Sequence, residues 1–95
     1  MAKIEMYTTV PCPYCVQIKE LFKKKGIKYV EHDIRKDGVM DELLRRGPSN
    51  RTVPQIFVNN INIGDDDAIM DLHKAGKLDA ILNQPDPPSA TAPKL

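Results

Sequence analysis

Two cysteines stand three positions apart near the start of the chain, and they are its only cysteines. They form the tetrapeptide Cys12-Pro13-Tyr14-Cys15. A bridge across so short a loop removes little entropy from the unfolded chain, so it would be a poor structural staple. In a reducing compartment, such a pair is more typical of metal binding or of thiol catalysis.

Thiol exchange requires an attacking thiolate, a second thiol to complete the reaction, and room for a substrate disulfide in line with the attacking sulfur. We expect Cys12 to lie just before a helix, where free backbone N–H groups and the positive end of the helix dipole favour a thiolate. Cys15 would lie in the first turn and be more buried. Cys12 is therefore predicted to be the nucleophile and Cys15 the resolving thiol.

The hydrophobic pattern predicts the elements around this pair. An apolar run at residues 4–7 predicts a strand that stops before Pro11. Residues 14–25, closed by Gly26, have helical periodicity, and residues 27–34 alternate as a second strand. A right-handed crossover through the helix would make the two strands parallel. The expected apolar stripe of that helix consists of Val16, Ile18, Leu21 and Phe22.

The second half of the chain predicts a hairpin between helices. Asn59 and Asn60 separate two short apolar runs, and asparagine tolerates the positive φ that a two-residue turn demands. The acids that begin the next helical segment suit the helix dipole. The predicted elements are a helix from about Gly38 to Gly47-Pro48, antiparallel strands at residues 55–58 and 61–63, a helix at residues 65–75, and a short turn or helix at residues 78–82.

Length and composition describe one small domain. The chain has 95 residues and 10.7 kDa, with 41% hydrophobic and 28% charged residues, which is ordinary globular composition. We predict a single folded domain over residues 1–83. Residues 84–95 are rich in proline and have little to bury, so they are predicted to form a disordered tail.

Charge and apolar run lengths argue against two classes of partner. The formal net charge is only +1, which provides no field to attract nucleic acid. No apolar run is long enough to span a bilayer, and the first residues lack the apolar stretch of a signal peptide. We therefore expect a cytoplasmic monomer without nucleic-acid or membrane partners.

Four segments of the sequence resemble the dithiol glutaredoxins. They are Tyr7-Thr8, Cys12-Pro13-Tyr14-Cys15, the Thr-Val-Pro-Gln-Ile-Phe run at residues 52–57, and Ile63-Gly64. Their joint occurrence is highly specific, although the cysteine spacing alone would not be, and the resemblance covers about residues 3–82. It implies an α/β, thioredoxin-like fold, with a four-stranded mixed sheet and helices on both faces.

The resemblance also implies a reaction. Glutathione would be the co-substrate, and the protein would reduce protein disulfides and protein–glutathione mixed disulfides through Cys12 and Cys15, with no tightly bound cofactor. Ribonucleotide reductase is one candidate target among such proteins. Two alternatives stay open: an electron donor reduced by thioredoxin reductase, and a non-enzymatic carrier of an iron–sulfur cluster. Zinc held by the cysteines with His32 and His73 is not expected, because the ligand spacings are unlike those of a zinc finger.

The resemblance assigns a glutathione site residue by residue. Pro54 would be a cis-proline, and Thr52 and Val53 before it would pair with the extended peptide backbone of glutathione. Tyr14 would expose its ring beside the cysteines and contact substrate. Arg51 matches a basic position near the glycine carboxylate, although an ordinary surface arginine would also fit.

Departures from the family pattern concern the charged ends of glutathione. Thr9 replaces a common lysine three residues before the nucleophile, and Lys19, at another common basic position, would compensate unless it is an ordinary surface lysine. Asp66 and Asp67 are predicted to lie at the γ-glutamyl end, where the extra acids Asp65 and Asp66 would weaken binding. After Gly64 the chain has Asp65, Asp66, Asp67 and Ala68, of which only Asp67 keeps the family pattern.

Overall fold

The computed structural model of the protein describes residues 2–47 and 52–84. No helix in these two segments combines the length and apolarity needed to cross a membrane. The predicted tail lies, apart from Gln84, outside the described residues. The elements are β1 (Ile4–Thr8), α1 (Pro13–Lys24), β2 (Val30–Asp33), α2 (Val39–Arg45), β3 (Gln55–Val58), β4 (Ile61–Gly64), α3 (Asp66–Lys74) and α4 (Leu78–Leu82).

The four strands form one mixed sheet in the order β2-β1-β3-β4. β1 is parallel to β2 and antiparallel to β3, and β4 pairs antiparallel with β3, as the crossover and hairpin arguments predicted. Asn59 and Asn60 have φ values of 52° and 69°, the positive values expected of the hairpin turn.

The strand register brings the ends of β1, β2 and β4 and the start of β3 to one edge of the sheet. Tyr7 near the end of β1 lies opposite Gln55 at the start of β3, and Thr8 lies opposite Asp33 at the end of β2. Gly64 at the end of β4 pairs with Ile56. The segments that follow β1 and β4 and the segment that precedes β3 therefore meet at this edge, which we call the site edge.

The sheet face under α1, α3 and α4, here called the apolar face, carries the larger core. Its buried side chains come from both strands and helices and contain no charged group. The buried residues of α1 are Cys15, Ile18 and Phe22, and their spacing of three and four positions places them on one face of the helix. The cluster consists of Ile4, Met6, Ile18, Phe22, Ile27, Ile56, Val58, Ile69, Leu78 and Leu82.

The opposite face, here called the α2 face, has a smaller core built around charged groups. Among the residues that the structure describes, its buried apolar cluster consists of Tyr7, Leu43 and Phe57. The guanidinium of Arg46, which caps the C-terminus of α2, lies 4.0 Å from the centre of the Phe57 ring. Aromatic stacking and ion pairing together therefore hold α2 against the sheet.

Glu5 is the centre of this charged group, with a side chain only 9% exposed. Arg46 donates to both of its carboxylate oxygens, at 2.8 and 3.0 Å, and His32 Nε2 lies 3.0 Å from Oε2. Arg46 also donates to the Tyr7 hydroxyl, which in turn donates to Glu42. Burial raises the pKa of Glu5, but hydrogen bonds from Arg46 and His32 lower it more, so the pKa falls below its ordinary value.

Two sequence predictions need correction. The second strand begins at Val30 instead of residue 27, because Ile27 donates its N–H to Phe22 at 2.9 Å and closes the end of α1. Val16 is 50% exposed and does not belong to the buried stripe of α1, because Cys15 occupies the inward position on that turn.

Candidate functional site

The two cysteines form a disulfide at the site edge, where β1 leads into α1. Cys12 is the N-cap of α1 and is half-buried, whereas Cys15 in the first turn is 1% exposed. Pro13 at the first helical position suits the helix start, because its fixed φ is helical and its missing N–H would have had no partner there. The difference in exposure agrees with the predicted roles, since only Cys12 is open to a substrate.

The environment of Cys12 favours a negative sulfur after reduction. Its Sγ accepts a hydrogen bond from the backbone N–H of Cys15 at 3.1 Å. The first turn of α1 contains no acidic residue, so nothing there offsets the positive end of the helix dipole. N–H donation and the helix dipole both stabilise a thiolate relative to a thiol.

The segment before β3 lies at the same site edge as the loop that carries Cys12. The Val53–Pro54 peptide is cis, as the resemblance implied, and Pro54 is buried while Val53 is partly exposed. The pairing of β3 with β1 begins only at Gln55, so Val53 extends beyond the ladder. Gln55 donates from its side-chain amide to the Thr52 hydroxyl at 3.3 Å, which fixes the approach to this segment.

The acids after β4 begin α3 at the same edge. Asp65 is the N-cap and accepts the N–H of Ala68 at 3.1 Å, so its carboxylate is engaged within its own helix. Asp66 is partly buried, and its pKa is raised by this burial and by the charges of Asp67 and Asp65. Asp67 is exposed. The predicted weakening of glutathione binding by Asp65 and Asp66 stays a prediction, and Asp65 also serves as the cap of α3.

Gly64, which joins β4 to these acids, has φ +115°. A Cβ at this position would lie 2.5 Å from Cβ of Ala68. Both the backbone conformation and the close approach of the next helix therefore require glycine.

The remaining predicted site residues lie on or near α1. Tyr14 is 61% exposed, as expected of a ring presented beside the cysteines. Lys19 does not stand alone: its Nζ is 2.6 Å from Oε2 of Glu31 on β2. Arg51 lies outside the described residues. Sequence reasoning missed Glu31, which only the parallel pairing of β2 with β1 brings to α1.

No metal centre is assembled in the described parts of the chain, where no three His, Cys, Asp or Glu side chains come together. His32 lies on the α2 face against Glu5, away from the start of α1, and His73 lies in the last turn of α3. The bonded cysteine pair at α1, His32 on β2 and His73 on α3 thus lie on three separate elements.

Comparison with known proteins agrees with this geometry. The family model described as Glutaredoxin matches residues 4–71. Glutaredoxin 1 of Rickettsia conorii is 37% identical over 92 residues, covering 94% of this chain and 90% of the relative. The glutaredoxin of Pseudomonas aeruginosa is 41% identical over 86 residues, covering 87% of this chain and 99% of the relative.

A solved structure gives the same result at the level of the fold. The crystal structure of a buckwheat glutaredoxin–glutathione complex superposes with a TM-score of 0.76 at 28% identity, over 85% of this chain and 76% of the buckwheat chain. The mixed four-stranded sheet with helices on both faces is accordingly the thioredoxin-like fold that the resemblance implied, and the chain belongs to the glutaredoxin family.

Proposed function

We propose that this thiol–disulfide oxidoreductase uses glutathione to reduce protein disulfides and protein–glutathione mixed disulfides. The family establishes the coarser activity. The observation that supports the roles of the cysteines is their unequal exposure, with Cys12 partly open at the start of α1 and Cys15 buried. The likeness to a buckwheat structure that contains glutathione supports the choice of co-substrate.

Cys12 is the thiol common to both reactions. On a glutathionylated protein, the Cys12 thiolate attacks the glutathione sulfur and releases the protein thiolate, leaving glutathione on Cys12. A second glutathione thiolate then attacks that glutathione sulfur, which forms oxidised glutathione and frees Cys12. Cys15 takes no part in this sequence.

A protein disulfide requires both cysteines. Cys12 attacks one substrate sulfur and releases the other as a thiolate, and Cys15 then attacks Cys12 Sγ and releases the reduced protein. The product is the Cys12–Cys15 disulfide seen in the structure. Two glutathione molecules restore the dithiol, and they leave as oxidised glutathione.

Stabilisation of the Cys12 thiolate by the backbone N–H of Cys15 helps mainly at the step in which Cys12 leaves. A more acidic thiol is a poorer nucleophile, and with a Brønsted slope of about 0.45 this nearly cancels the gain in thiolate fraction during attack. A low-pKa thiolate is, however, expelled faster from a mixed disulfide. The backbone N–H on Cys12 Sγ therefore supports turnover through mixed disulfides.

The glutathione site of this proposal takes residues from three parts of the chain. Thr52, Val53 and Pro54 would pair with the peptide backbone of glutathione, and Tyr14 would contact its flank or the protein substrate. Lys19 and Arg51 would attract its glycine carboxylate, while Asp66 and Asp67 would lie near the γ-glutamyl group. We further propose that the protein works as a cytoplasmic monomer on disulfide-bearing or glutathionylated proteins, with ribonucleotide reductase as one candidate.

Single cysteine variants test the two reactions separately. We expect Cys12→Ser to abolish both, because only attack by Cys12 is common to them. Cys15→Ser should keep removal of glutathione from a glutathionylated peptide and lose reduction of a disulfide peptide. Turnover is followed through NADPH and glutathione reductase, and equal loss of deglutathionylation in both variants would show that the roles are wrongly assigned.

A second candidate reductant is favoured by the acids at the start of α3. The raised pKa of Asp66 reflects a partly buried, negatively charged environment that disfavours a carboxylate ligand. The oxidised protein would in that case accept electrons from thioredoxin reductase. Mixing it with each reducing system and following NADPH loss distinguishes the two, since only the true reductant should sustain turnover.

A further inference from the structure

A single carboxylate oxygen joins three elements beside the active-site helix. Oε2 of Glu31 on β2 lies 2.6 Å from Lys19 Nζ on α1 and accepts a hydrogen bond from the Thr8 hydroxyl, also at 2.6 Å. Thr8 is 1% exposed and ends β1 at the site edge. The charge of Lys19 is thus already matched by an acid whose position is fixed by a buried hydroxyl.

Both partners remain accessible to a ligand. The side chains of Lys19 and Glu31 are 28% and 39% exposed. Hydrogen bonds from Lys19 and Thr8 lower the pKa of Glu31, so it is a carboxylate at neutral pH. A ligand carboxylate that approaches Lys19 therefore meets a negative charge that is already in contact with the same ammonium group.

We propose that Glu31 is a specificity-determining residue, an internal counter-ion that competes with the carboxylate of glutathione for Lys19. The inference rests on the proposed function. A ligand carboxylate must either displace Glu31 from Lys19 or bind beside it, and each course forfeits part of the attraction to the lysine. Glu31 would thereby lower the preference for glutathionylated substrates over ordinary disulfides.

Glu20 provides a matched control. It follows Lys19 on α1, and the two line an open groove together with Val16, Lys23, Ile27 and Tyr29. It is exposed, and among the described residues it forms no ion pair with Lys19. Neutralising Glu20 removes the same charge from the same neighbourhood but leaves the contact between Lys19 and Glu31 intact.

The test is the variant Glu31→Gln, whose amide oxygen can still accept the Thr8 hydroxyl. Exposed ion pairs are worth up to about 1 kcal/mol, so we expect the KM for a glutathionylated peptide to fall about two- to fivefold at unchanged kcat. The single-turnover rate of the reduced protein with a disulfide peptide that carries no glutathione should not change. A merely structural effect of the substitution would change the kinetics with both substrates.

Two further variants determine whether the effect passes through Lys19. Glu20→Gln should leave the KM within error of the original, and Glu31→Gln should have no effect in a Lys19→Met background. The inference is overturned if Glu31→Gln leaves the KM unchanged or raises it, if Glu20→Gln matches it, or if its effect survives without Lys19. Failure of the unaltered protein to turn over the glutathionylated peptide would instead refute the proposed function, and the inference with it.

Discussion

The two faces of the sheet are held in different ways. On the apolar face, α1 is packed through side chains such as Ile18 and Phe22 that are fully buried and uncharged. On the α2 face, the contact depends on Arg46, which bonds Glu5 and stacks on Phe57. Burial of hydrocarbon is insensitive to direction and pH, whereas an ion pair requires both geometry and charge. The reactive cysteines lie at α1, the helix whose packing does not depend on ion pairs or on pH.

The largest expected loss of stability is on the apolar face. Phe22 is fully buried against Ile18 and the strands, so Phe22→Ala should lower the free energy of unfolding by about 3 to 5 kcal/mol. Urea unfolding measures it, with the exposed helix position Lys24→Ala as the control. The loss should be the same at pH 5 and pH 8. A strongly pH-dependent loss would show that the apolar face also depends on charged groups, contrary to the contrast between the two faces.

On the α2 face, we expect Arg46→Met to cost about 3 kcal/mol, because it leaves the carboxylate of Glu5 buried without its main partner. Arg45→Met is the matched control: it removes the same charge from an exposed neighbour and should change stability by less than about 0.5 kcal/mol. Both are compared by urea unfolding. Equal effects would mean that overall charge, and not the contact with Glu5, holds α2.

A smaller effect concerns Glu5 and pH. Because the pKa of Glu5 is lower in the folded protein than its ordinary value of 4.5, its contribution is fully present above that value and is lost as the pH falls through the folded pKa. Glu5→Gln should therefore cost about 1 to 2 kcal/mol at pH 7 and progressively less as the pH falls below 4.5. Unfolding curves from pH 7 to pH 3 measure the difference, with Glu20→Gln as an exposed control. A loss of unfolding free energy that stays constant with pH would show that the charge of Glu5 does not contribute to stability.

The contrast between the faces also explains how far the sequence could be interpreted. Helical and strand periodicities, the asparagine turn and the helix-start position of Cys12 depend on neighbours within a few residues. These predictions were confirmed, apart from the start of the second strand and the burial of Val16. The partners of the charged groups depend on the fold. Glu5 and Arg46 are 41 positions apart, and an acid and an arginine in such a pattern are ordinarily solvent-exposed.

Side-chain orientation limited the remaining predictions in a similar way. Val16 is apolar and lies within a helix, but the burial of Cys15 on the inner side of α1 turns its neighbour outward. Lys19 was recognised as a candidate binding residue, whereas its partner Glu31 follows only from the pairing of β2 with β1. The binding roles of Thr52, Val53, Tyr14, Asp66 and Asp67 stay predictions.

The turn at Gly64 has a consequence for how this site can diverge among related proteins. Its positive φ and the closeness of Ala68 make glycine the residue required at the joint between β4 and α3. The side chains at positions 66 and 67 can therefore be exchanged without rebuilding the loop that presents them, whereas Asp65 is also the cap of α3. Ligand preference at this end of the site would then change with the charge and size of these side chains, while the backbone around Gly64 stays the same.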